Sequence, residues 1–376
     1  MTENTNTLLA VEGLSTQYRT DSGPIRAVDD NSITVDEGEV LGVVGESGSG
    51  KSSLIRSIMR LLPDNGDIVD GAARFKGRDL SEMSESDLRE IRGNEISMIF
   101  QHPISHLNPA YTIGDQIEDV LQAHTDLDEA ERWDRIHTTL EQLGIPAPEE
   151  RAKNYPHEFS GGMAQRVAIA MALICQPDLV LADEPTSALD VTIQAQIIDL
   201  LSDLQDELDM SIIWVTHDMG VVAEVSDTVA VMYAGNVVEY GPVREIFEAP
   251  KHPYTRALLE TVPRHDRDRS ERFNTISGSP PDLSDLPTGC VFQDRCPDEM
   301  DICGEHRPQY YRFDTEREDE HLAKCFLHAD QPRVPPSPSA PTDIRMENGE
   351  FVVGGDSDVE DGGPTHRSAQ TDGDSR

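Results

Sequence analysis

The sequence has few basic residues and very little lysine. It contains 71 acidic but only 31 basic residues, of which five are lysine, and its formal net charge is −40. A surface this acidic repels itself in dilute buffer, whereas salt above about 1 M shortens the Debye length to roughly 3 Å. The composition therefore predicts a protein of a salt-rich cytosol, and we expect a halophilic archaeon. Without a local basic patch, nucleic acid is excluded as a partner.

Long apolar runs and a secretory signal are also absent. No stretch of about 18 or more apolar residues occurs, so we expect no membrane-spanning helix. The N-terminal segment MTENTNTLLAVEGL lacks a basic region followed by an apolar stretch. We therefore expect a cytoplasmic chain, in which thiols are reduced and clustered cysteines indicate metal binding rather than disulfides.

Hydrophobic periodicity predicts an α/β fold followed by less regular segments. Residues 8–44 alternate apolar and polar positions, which is typical of antiparallel strands with one solvated face. The runs VLGVVG, LVLAD and SIIWVTH are short and apolar, and helical patterns separate them, which predicts buried parallel strands. Roughly 110–175 is predicted to be helical. From about residue 331 the sequence is Pro-rich and then Gly/Asp-rich, which predicts disorder.

The segment GESGSGKSS, residues 45–53, has the spacing of a phosphate-binding loop, G-x-x-x-x-G-K-[ST]. Its glycines let successive backbone N–H groups surround a phosphate at the positive end of the following helix. We expect Lys51 to reach the β- and γ-phosphates and Ser52 to bind Mg²⁺. The predicted ATP-binding residues of this segment are Gly45, Glu46, Ser47, Gly48, Ser49, Gly50, Lys51, Ser52 and Ser53.

The segment LVLADEP, residues 179–185, supplies the remaining residues that a nucleotide-hydrolysing site needs. Asp183 ends an apolar strand, where it can hold Mg²⁺, and Glu184 can orient or deprotonate the attacking water. Together with the phosphate loop, this segment predicts hydrolysis of a nucleoside triphosphate.

Further motifs, in their order and spacing, resemble those of ATP-binding cassette (ABC) ATPases over about residues 8–262. FSGGMAQR resembles the family's signature motif, SALD its D-loop, MIFQHP its Q-loop and VTHD its switch-histidine motif. The resemblance implies that Gln101, Lys51, Glu184 and His217 are catalytic. It also implies that Gln101 joins Ser52 and Asp183 at Mg²⁺, and that Tyr18 stacks on adenine.

In ABC proteins two cassettes face head to tail, and each signature motif closes on the ATP of the other. The resemblance therefore implies that Ser160, Gly161 and Gly162 contact the partner's nucleotide, with Asp190 of the D-loop nearby. Phe159 and Met163 replace the Leu and Gln of the commonest signature, a variant that is familiar among peptide importers.

Among ABC ATPases, the sequence favours a transporter subunit. DNA-organising members carry long coiled coils and ribosomal members normally carry two cassettes, but this chain has no sustained heptads and one phosphate loop. Residues 231–263 and 286–308 resemble dipeptide/oligopeptide and nickel importer ATPases. The resemblance implies a second, different ATPase chain, two permeases and an extracellular binding protein, at the cytoplasmic face of the membrane. We expect peptide import; nickel or another small solute is the alternative, and a non-transport ABC ATPase is a distant one.

We predict an ABC ATPase domain over 1–262, with a helical signature subdomain at about 102–178. A C-terminal extension over 263–330 and a disordered tail over 331–376 follow. The extension contains four of the five cysteines, Cys290, Cys296, Cys303 and Cys325. Zinc sites usually have paired C-x2–4-C spacings, which are absent here, and wider spacing suits a [4Fe–4S] cluster better. The resemblance extends such a cluster to these positions; Zn²⁺ and unligated or disulfide-bonded cysteines remain the alternatives.

Overall fold

The computed structural model describes residues 6–187, 189–262, 276–315, 320–332, 344–347 and 350–353. The strands are β1 (Thr7–Thr20), β2 (Gly23–Asp36), β3 (Val40–Val44), β4 (Gly66–Phe75), β5 (Arg78–Asp79), β6 (Ile96–Ile99), β7 (Leu179–Asp183), β8 (Ser211–Thr216), β9 (Thr228–Tyr233), β10 (Asn236–Pro242), β11 (Tyr310–Phe313), β12 (His321–Lys324), β13 (Ile344–Glu347) and β14 (Glu350–Val353). The helices are α1 (Lys51–Ile58), α2 (Glu85–Ile91), α3 (Pro103–His106), α4 (Ile113–His124), α5 (Glu129–Gln142), α6 (Pro148–Arg151), α7 (Gly161–Leu173), α8 (Val191–Leu208), α9 (Met219–Val225), α10 (Val243–Glu248), α11 (Pro253–Glu260) and α12 (Asp301–Glu305).

The core sheet has eight strands in the order β11-β12-β10-β9-β3-β8-β7-β6. The five strands β6, β7, β8, β3 and β9 run parallel. Every residue of β3, β7 and β8 is buried, as expected for parallel strands covered on both faces. The predicted mixed α/β core is confirmed.

A second, antiparallel sheet has the order β2-β1-β4-β5, and the alternating pattern of residues 8–44 correctly predicts its first two strands. Apolar side chains on its inner face, including Leu9, Leu14 and Phe75, join Leu54 and Ile55 of α1 in one core. This packing fixes the direction of α1, because its buried face lies between the two sheets.

The parallel strands bring distant parts of the chain to one edge of the core sheet. The loop before α1 follows β3, Asp183 ends β7, and His217 follows β8. Because the carboxyl ends of parallel strands meet at the same edge, ligands of open α/β sheets bind there. The fold therefore assembles the predicted nucleotide site from three separate segments.

The helices α3 to α7 lie between β6 and β7 in the chain, within the range predicted as the helical subdomain. Apolar residues of α4, α5 and α7, such as Ile117, Leu140 and Val167, share a core that also includes α8. No helix in the described ranges combines the length and apolar composition that a membrane span requires.

The C-terminal extension continues the core sheet. Strand β12 pairs antiparallel with β10, and β11 pairs with β12, so the extension packs directly onto the cassette. Within the tail from 331, predicted to be disordered, β13 and β14 pair as a short hairpin. The rest of the tail lies outside the described residues.

Glu239 of β10 is a fully buried carboxylate that holds three segments together. It accepts hydrogen bonds from the backbone N–H groups of Lys251 (2.7 Å) and His252 (2.9 Å), just before α11, and pairs with Nε2 of His321 in β12 (2.8 Å). Burial alone would raise its pKa, but these hydrogen bonds, led by that of His321, lower the pKa below its usual range. The charge of Glu239 therefore stabilises the junction of cassette and extension.

Glu239→Ala is expected to lower the free energy of unfolding by about 3–5 kcal/mol, because buried donors lose their acceptor. Guanidinium unfolding in high salt would measure the loss, with the exposed Glu248→Ala as a control expected to change stability by less than about 0.5 kcal/mol. A folded-state pKa below the unfolded value stabilises at neutral pH. The difference between wild type and Glu239→Ala should therefore shrink as the pH falls below about 4.3. Equal stability of the two variants at pH 7 would contradict this role.

Candidate nucleotide-binding site

The phosphate loop connects β3 to α1 through very close backbone contacts. Gly50, the residue before α1, has a φ of +101°, which favours glycine. A Cβ atom at Gly50 would lie 2.2 Å from the carbonyl oxygen of Ala27, and one at Gly45 would lie 2.0 Å from that of Met232. Both positions therefore require glycine. Of the predicted ATP-binding residues, Gly45, Glu46, Ser47, Gly48, Ser49 and Gly50 form the loop, and Lys51, Ser52 and Ser53 begin α1.

Lys51 lies inside this loop and is only 5% exposed. Its Nζ donates hydrogen bonds to the carbonyl oxygens of Gly45 (2.8 Å) and Glu46 (2.9 Å). Burial lowers the pKa of Lys51, and the nearby carboxylates, Glu184 first among them, only partly offset that effect. A desolvated ammonium held by neutral carbonyls would be stabilised by a bound phosphate.

Asp183 lies at the end of β7 with no exposed surface. Its Oδ1 accepts a 2.7 Å hydrogen bond from Oγ of Ser52, and its Oδ2 lies 3.4 Å from Nη2 of Arg56. Burial raises the pKa of Asp183, while Ser52 and Arg56 act in the opposite direction. The hydroxyl and the carboxylate thus form a pair of oxygen ligands that suits a hard cation such as Mg²⁺.

Each carboxylate oxygen of Glu184 contacts a side chain that follows another strand of the core sheet: Gln101 follows β6, and His217 follows β8. Nε2 of Gln101 donates to Oε2 (2.8 Å), and Nδ1 of His217 lies 3.2 Å from Oε1. The backbone of Glu184 has a φ of +47°, a conformation that is uncommon for residues other than glycine. Its N–H donates to the carbonyl oxygen of Val215 in β8, which holds the residue in this conformation. Gln101, Glu184 and His217 therefore form one hydrogen-bonded group.

Tyr18 lies beside the start of α1. Its hydroxyl donates a 3.1 Å hydrogen bond to Oγ of Ser53, and its ring packs against Gly66, where a Cβ atom would approach within 2.8 Å. The ring is half-buried next to the phosphate loop, and its stacking on adenine stays a prediction.

The signature residues lie on the helical subdomain. Ser160 is exposed and caps α7, accepting a hydrogen bond from the N–H of Met163. Gly162 faces Ile193 of α8, and Asp190 caps that helix. In the described contacts, no hydrogen bond or ion pair links Ser160 or Asp190 to the phosphate loop of the same chain. The signature and the D-loop are thus neighbours of each other.

The four cysteines of the extension line a single cavity, together with side chains that include His252, Phe292 and Phe326. All four thiols are free, Cys303 and Cys325 are buried, and Cys290 and Cys296 are half-buried. Burial raises the pKa of each thiol, to about 12 for Cys290 and Cys325. Among the described residues, however, no group of three or more Cys, His, Asp or Glu side chains has a geometry that would hold a single metal ion. The structure thus gathers the predicted ligands around one cavity without forming a compact one-ion site.

Comparison with known families gives two matches. The ABC transporter family matches residues 28–187, and the C-terminal region of oligopeptide/dipeptide transporters matches residues 238–303. Curated relatives include the dipeptide transport ATP-binding protein of Bacillus subtilis, which is 47% identical over 321 residues, covering 85% of this chain and 94% of the relative. The oligopeptide transport ATP-binding protein of Salmonella typhimurium is 49% identical with the same coverage. The chain belongs to the ABC transporter family.

Solved ABC structures support the same fold. A dimeric ATP-binding cassette bound to ADP and Pi is 28% identical, with a TM-score of 0.57 over 63% of this chain and 99% of that chain. A part of an ABC transporter complex from Clostridium perfringens is 29% identical, with a TM-score of 0.55 over 65% of this chain and 92% of that chain. The predicted ABC fold is confirmed, and ATP hydrolysis that drives transport is the activity of this family.

Sequence reasoning missed several contacts to the ABC phosphate site. Arg56 pairs with Asp183, the hydroxyl of Tyr254 accepts a hydrogen bond from the N–H of Glu46, and Arg295 of the extension pairs with the Glu46 side chain. The segment HPYTRALL, which resembles importer ATPases, contains Tyr254 and could have pointed to it. No pattern pointed to Arg295, because it lies about 250 residues from its partner.

Proposed function

We propose that the chain is the ATP-hydrolysing subunit of a membrane importer for dipeptides or oligopeptides. The observation that carries this proposal is the combination of one phosphate site with a peptide-transporter C-terminal region in a single chain. The curated relatives, named as dipeptide and oligopeptide transport ATP-binding proteins, support the same substrate class.

In the proposed site, the loop N–H groups and Lys51 bind the phosphates of ATP, and Ser52 and Asp183, with Gln101, hold Mg²⁺. The metal would neutralise charge that develops on the phosphates. Glu184 orients the attacking water and takes its proton, while Gln101 and His217 fix the two carboxylate oxygens. The buried Lys51 ammonium favours the bound anion, because phosphate would replace neutral carbonyl partners.

We propose that a second, different ATPase chain completes the site. The exposed Ser160 and Gly161 carry backbone N–H groups at the start of α7, where helices favour anions. The described contacts include no hydrogen bond or ion pair from Ser160 or Asp190 to the phosphate loop of the same chain. The start of α7 can therefore bind the nucleotide of a partner cassette, with Asp190 beside it. A dimeric ATP-binding cassette among the similar structures supports pairing of two cassettes.

The partners we propose are two permease subunits and an extracellular binding protein, with this chain on the cytoplasmic face of the membrane. The segment after Gln101 carries two exposed apolar side chains, Ile104 and Tyr111, each 52% exposed. His106 of this segment stacks on Phe100, which directly precedes Gln101, with ring centroids 4.5 Å apart. Large apolar side chains exposed on this segment support docking of a permease.

Uptake measurements would test the substrate class. Deleting the gene in its host should abolish uptake of labelled di- or oligopeptides and leave nickel uptake unchanged. Complementation with wild type should restore peptide uptake, and Lys51→Ala should not. Loss of nickel uptake alone would overturn the peptide proposal in favour of the nickel alternative.

We further propose that Cys290, Cys296, Cys303 and Cys325 hold a [4Fe–4S] cluster. Four sulfur donors around one cavity suit such a cluster. The spacing of the four cysteines, which lacks the paired C-x2–4-C pattern of zinc sites, favours the larger cluster over Zn²⁺. Bound there, the cluster would stabilise the folded extension, since thiolate ligation couples metal binding to folding.

Metal analysis of the full-length chain, purified without oxygen in high salt, would test this proposal. We expect brown protein with about four irons and about four acid-labile sulfides per chain. Colourless protein with one zinc would replace the cluster with a zinc site, and protein with neither metal would overturn both.

We also propose that the protein works in the salt-rich cytosol of a halophilic archaeon. The support is the net charge of −40 with only five lysines. At high KCl concentration this surface should be screened, so the thermal midpoint should rise steeply between about 0.1 and 2 M KCl. A midpoint independent of salt would contradict the proposal.

A further inference from the structure

The C-terminal extension contacts the phosphate loop through a partly buried ion pair. The guanidinium of Arg295 donates to both carboxylate oxygens of Glu46, from Nη1 (2.7 Å) and from Nη2 (3.1 Å). The Arg295 side chain is 5% exposed and that of Glu46 is 28% exposed. A bidentate pair of this geometry restricts the orientation of both side chains.

Arg295 is itself held on two other sides. Its Nε donates to the carbonyl oxygen of Ser277 (2.8 Å), and its Nη1 also donates to the hydroxyl of Tyr233 (3.2 Å). It directly precedes Cys296, one of the four cysteines that line the cavity. These contacts hold the guanidinium in one orientation on the extension, and from there it positions the Glu46 side chain.

Glu46 in turn controls the loop that holds Lys51. Its carbonyl oxygen accepts one of the two hydrogen bonds from Nζ of Lys51, and its N–H donates to the hydroxyl of Tyr254 at 3.0 Å. The side chain, N–H and carbonyl of one loop residue are thus all engaged. Movement of Glu46 would shift the carbonyl beside the lysine and the first turn of the loop.

We infer that Arg295 is a positioning residue for ATP binding: through Glu46 it holds the phosphate loop in its binding conformation from outside the cassette. This inference rests on the proposed phosphate site. Arg295 does not touch the nucleotide in this role, and it acts by preorganising the loop, which lowers the ordering cost of binding.

The test uses the full-length chain in high salt, with MgATP affinity measured by calorimetry and hydrolysis measured as KM and kcat. Arg295→Gln is expected to raise the Kd and KM about tenfold, which corresponds to about 1.4 kcal/mol, and to change kcat less than about threefold. Arg295→Lys, which keeps the charge but loses the bidentate geometry, should recover part of the affinity.

Glu46→Gln separates positioning from simple charge. Removing a carboxylate near the phosphates would strengthen ATP binding if net charge alone mattered, whereas loss of positioning weakens it. We therefore expect Glu46→Gln to weaken binding by a similar factor, and the double variant to be no weaker than either single variant. Tighter binding by Glu46→Gln would overturn the inference, and this variant also decides the matter if Arg295→Gln does not fold.

Arg256→Gln is the matched control. Arg256 pairs with Asp298 at 3.0 Å, joining α11 to the extension, but both side chains are nearly half-exposed. It should leave MgATP affinity within about twofold of wild type. If Lys51→Ala abolishes binding while Arg295→Gln binds like wild type, the inference fails and the phosphate site stands. If Lys51→Ala binds ATP like wild type, the phosphate site itself is refuted.

Discussion

Replacing Glu184 with glutamine is expected to lower the rate of ATP hydrolysis at this chain's site by about 10²- to 10⁴-fold, the usual contribution of a positioned general base. Glutamine has nearly the same shape and can still meet Gln101 and His217, but its amide cannot accept the proton of the attacking water. MgATP affinity should change little, because Lys51, Ser52 and Asp183 keep their contacts. Single-turnover hydrolysis in the assembled transporter, with parallel binding measurements, would check both parts.

The matched control for this variant is Glu248→Gln, an exposed glutamate on α10 that pairs with Arg244. It should hydrolyse ATP like wild type. Unchanged turnover at the Glu184→Gln site would remove this residue from its role as the base. Equal loss of binding and turnover would instead indicate damage to the loop, since Glu184 adopts a backbone conformation that is held by Val215.

At the proposed cluster site, Cys325→Ser is expected to remove most or all of the iron and sulfide that the proposal assigns to the wild-type chain. Cys325 is buried and lines the cavity together with Cys290, Cys296 and Cys303. Serine oxygen is a harder ligand than thiolate and suits iron–sulfur chemistry poorly. The visible absorption, iron content and thermal midpoint of the anaerobic protein should all fall.

Cys175→Ser provides the control, because Cys175 packs against the core of the helical subdomain, away from the four-cysteine cavity. This variant should match the iron and sulfide content of wild type, with at most a modest loss of stability from a half-buried hydroxyl. If Cys325→Ser retained full iron while another cysteine variant lost it, Cys325 would not be a ligand. If wild type carried zinc and Cys325→Ser lost it, the zinc alternative would apply.

Local sequence patterns predicted those parts of the fold that depend on neighbouring residues. The apolar runs predicted buried strands at β3, β7 and β8, since a strand covered on both faces has no polar side. The glycines of the phosphate loop were predictable because backbone N–H groups must approach a phosphate closely, and the contacts of Gly45 and Gly50 agree with that reason.

Contacts between distant segments could not be read in this way. The fully buried Glu239 resembles any strand residue in the sequence, yet it is the acceptor that joins β10, α11 and β12. The less regular pattern of the extension over 263–330 likewise did not show that β12 pairs with β10 and extends the core sheet. Pairing partners of strands far apart in the chain are set by tertiary packing, so periodicity within one segment does not specify them.

The sequence by itself determined the phosphate loop and the acidic, lysine-poor composition, because these follow from local spacing and residue counts. Its resemblance to ABC ATPases predicted the fold. Only the tertiary structure decided how these parts act on one another. It placed Gln101 and His217 on the two oxygens of Glu184, gathered the four cysteines around one cavity, and paired Arg295 with Glu46. The physical reason is that hydrogen bonds and ion pairs act over a few ångströms. Only folding brings residues far apart in the chain within that range.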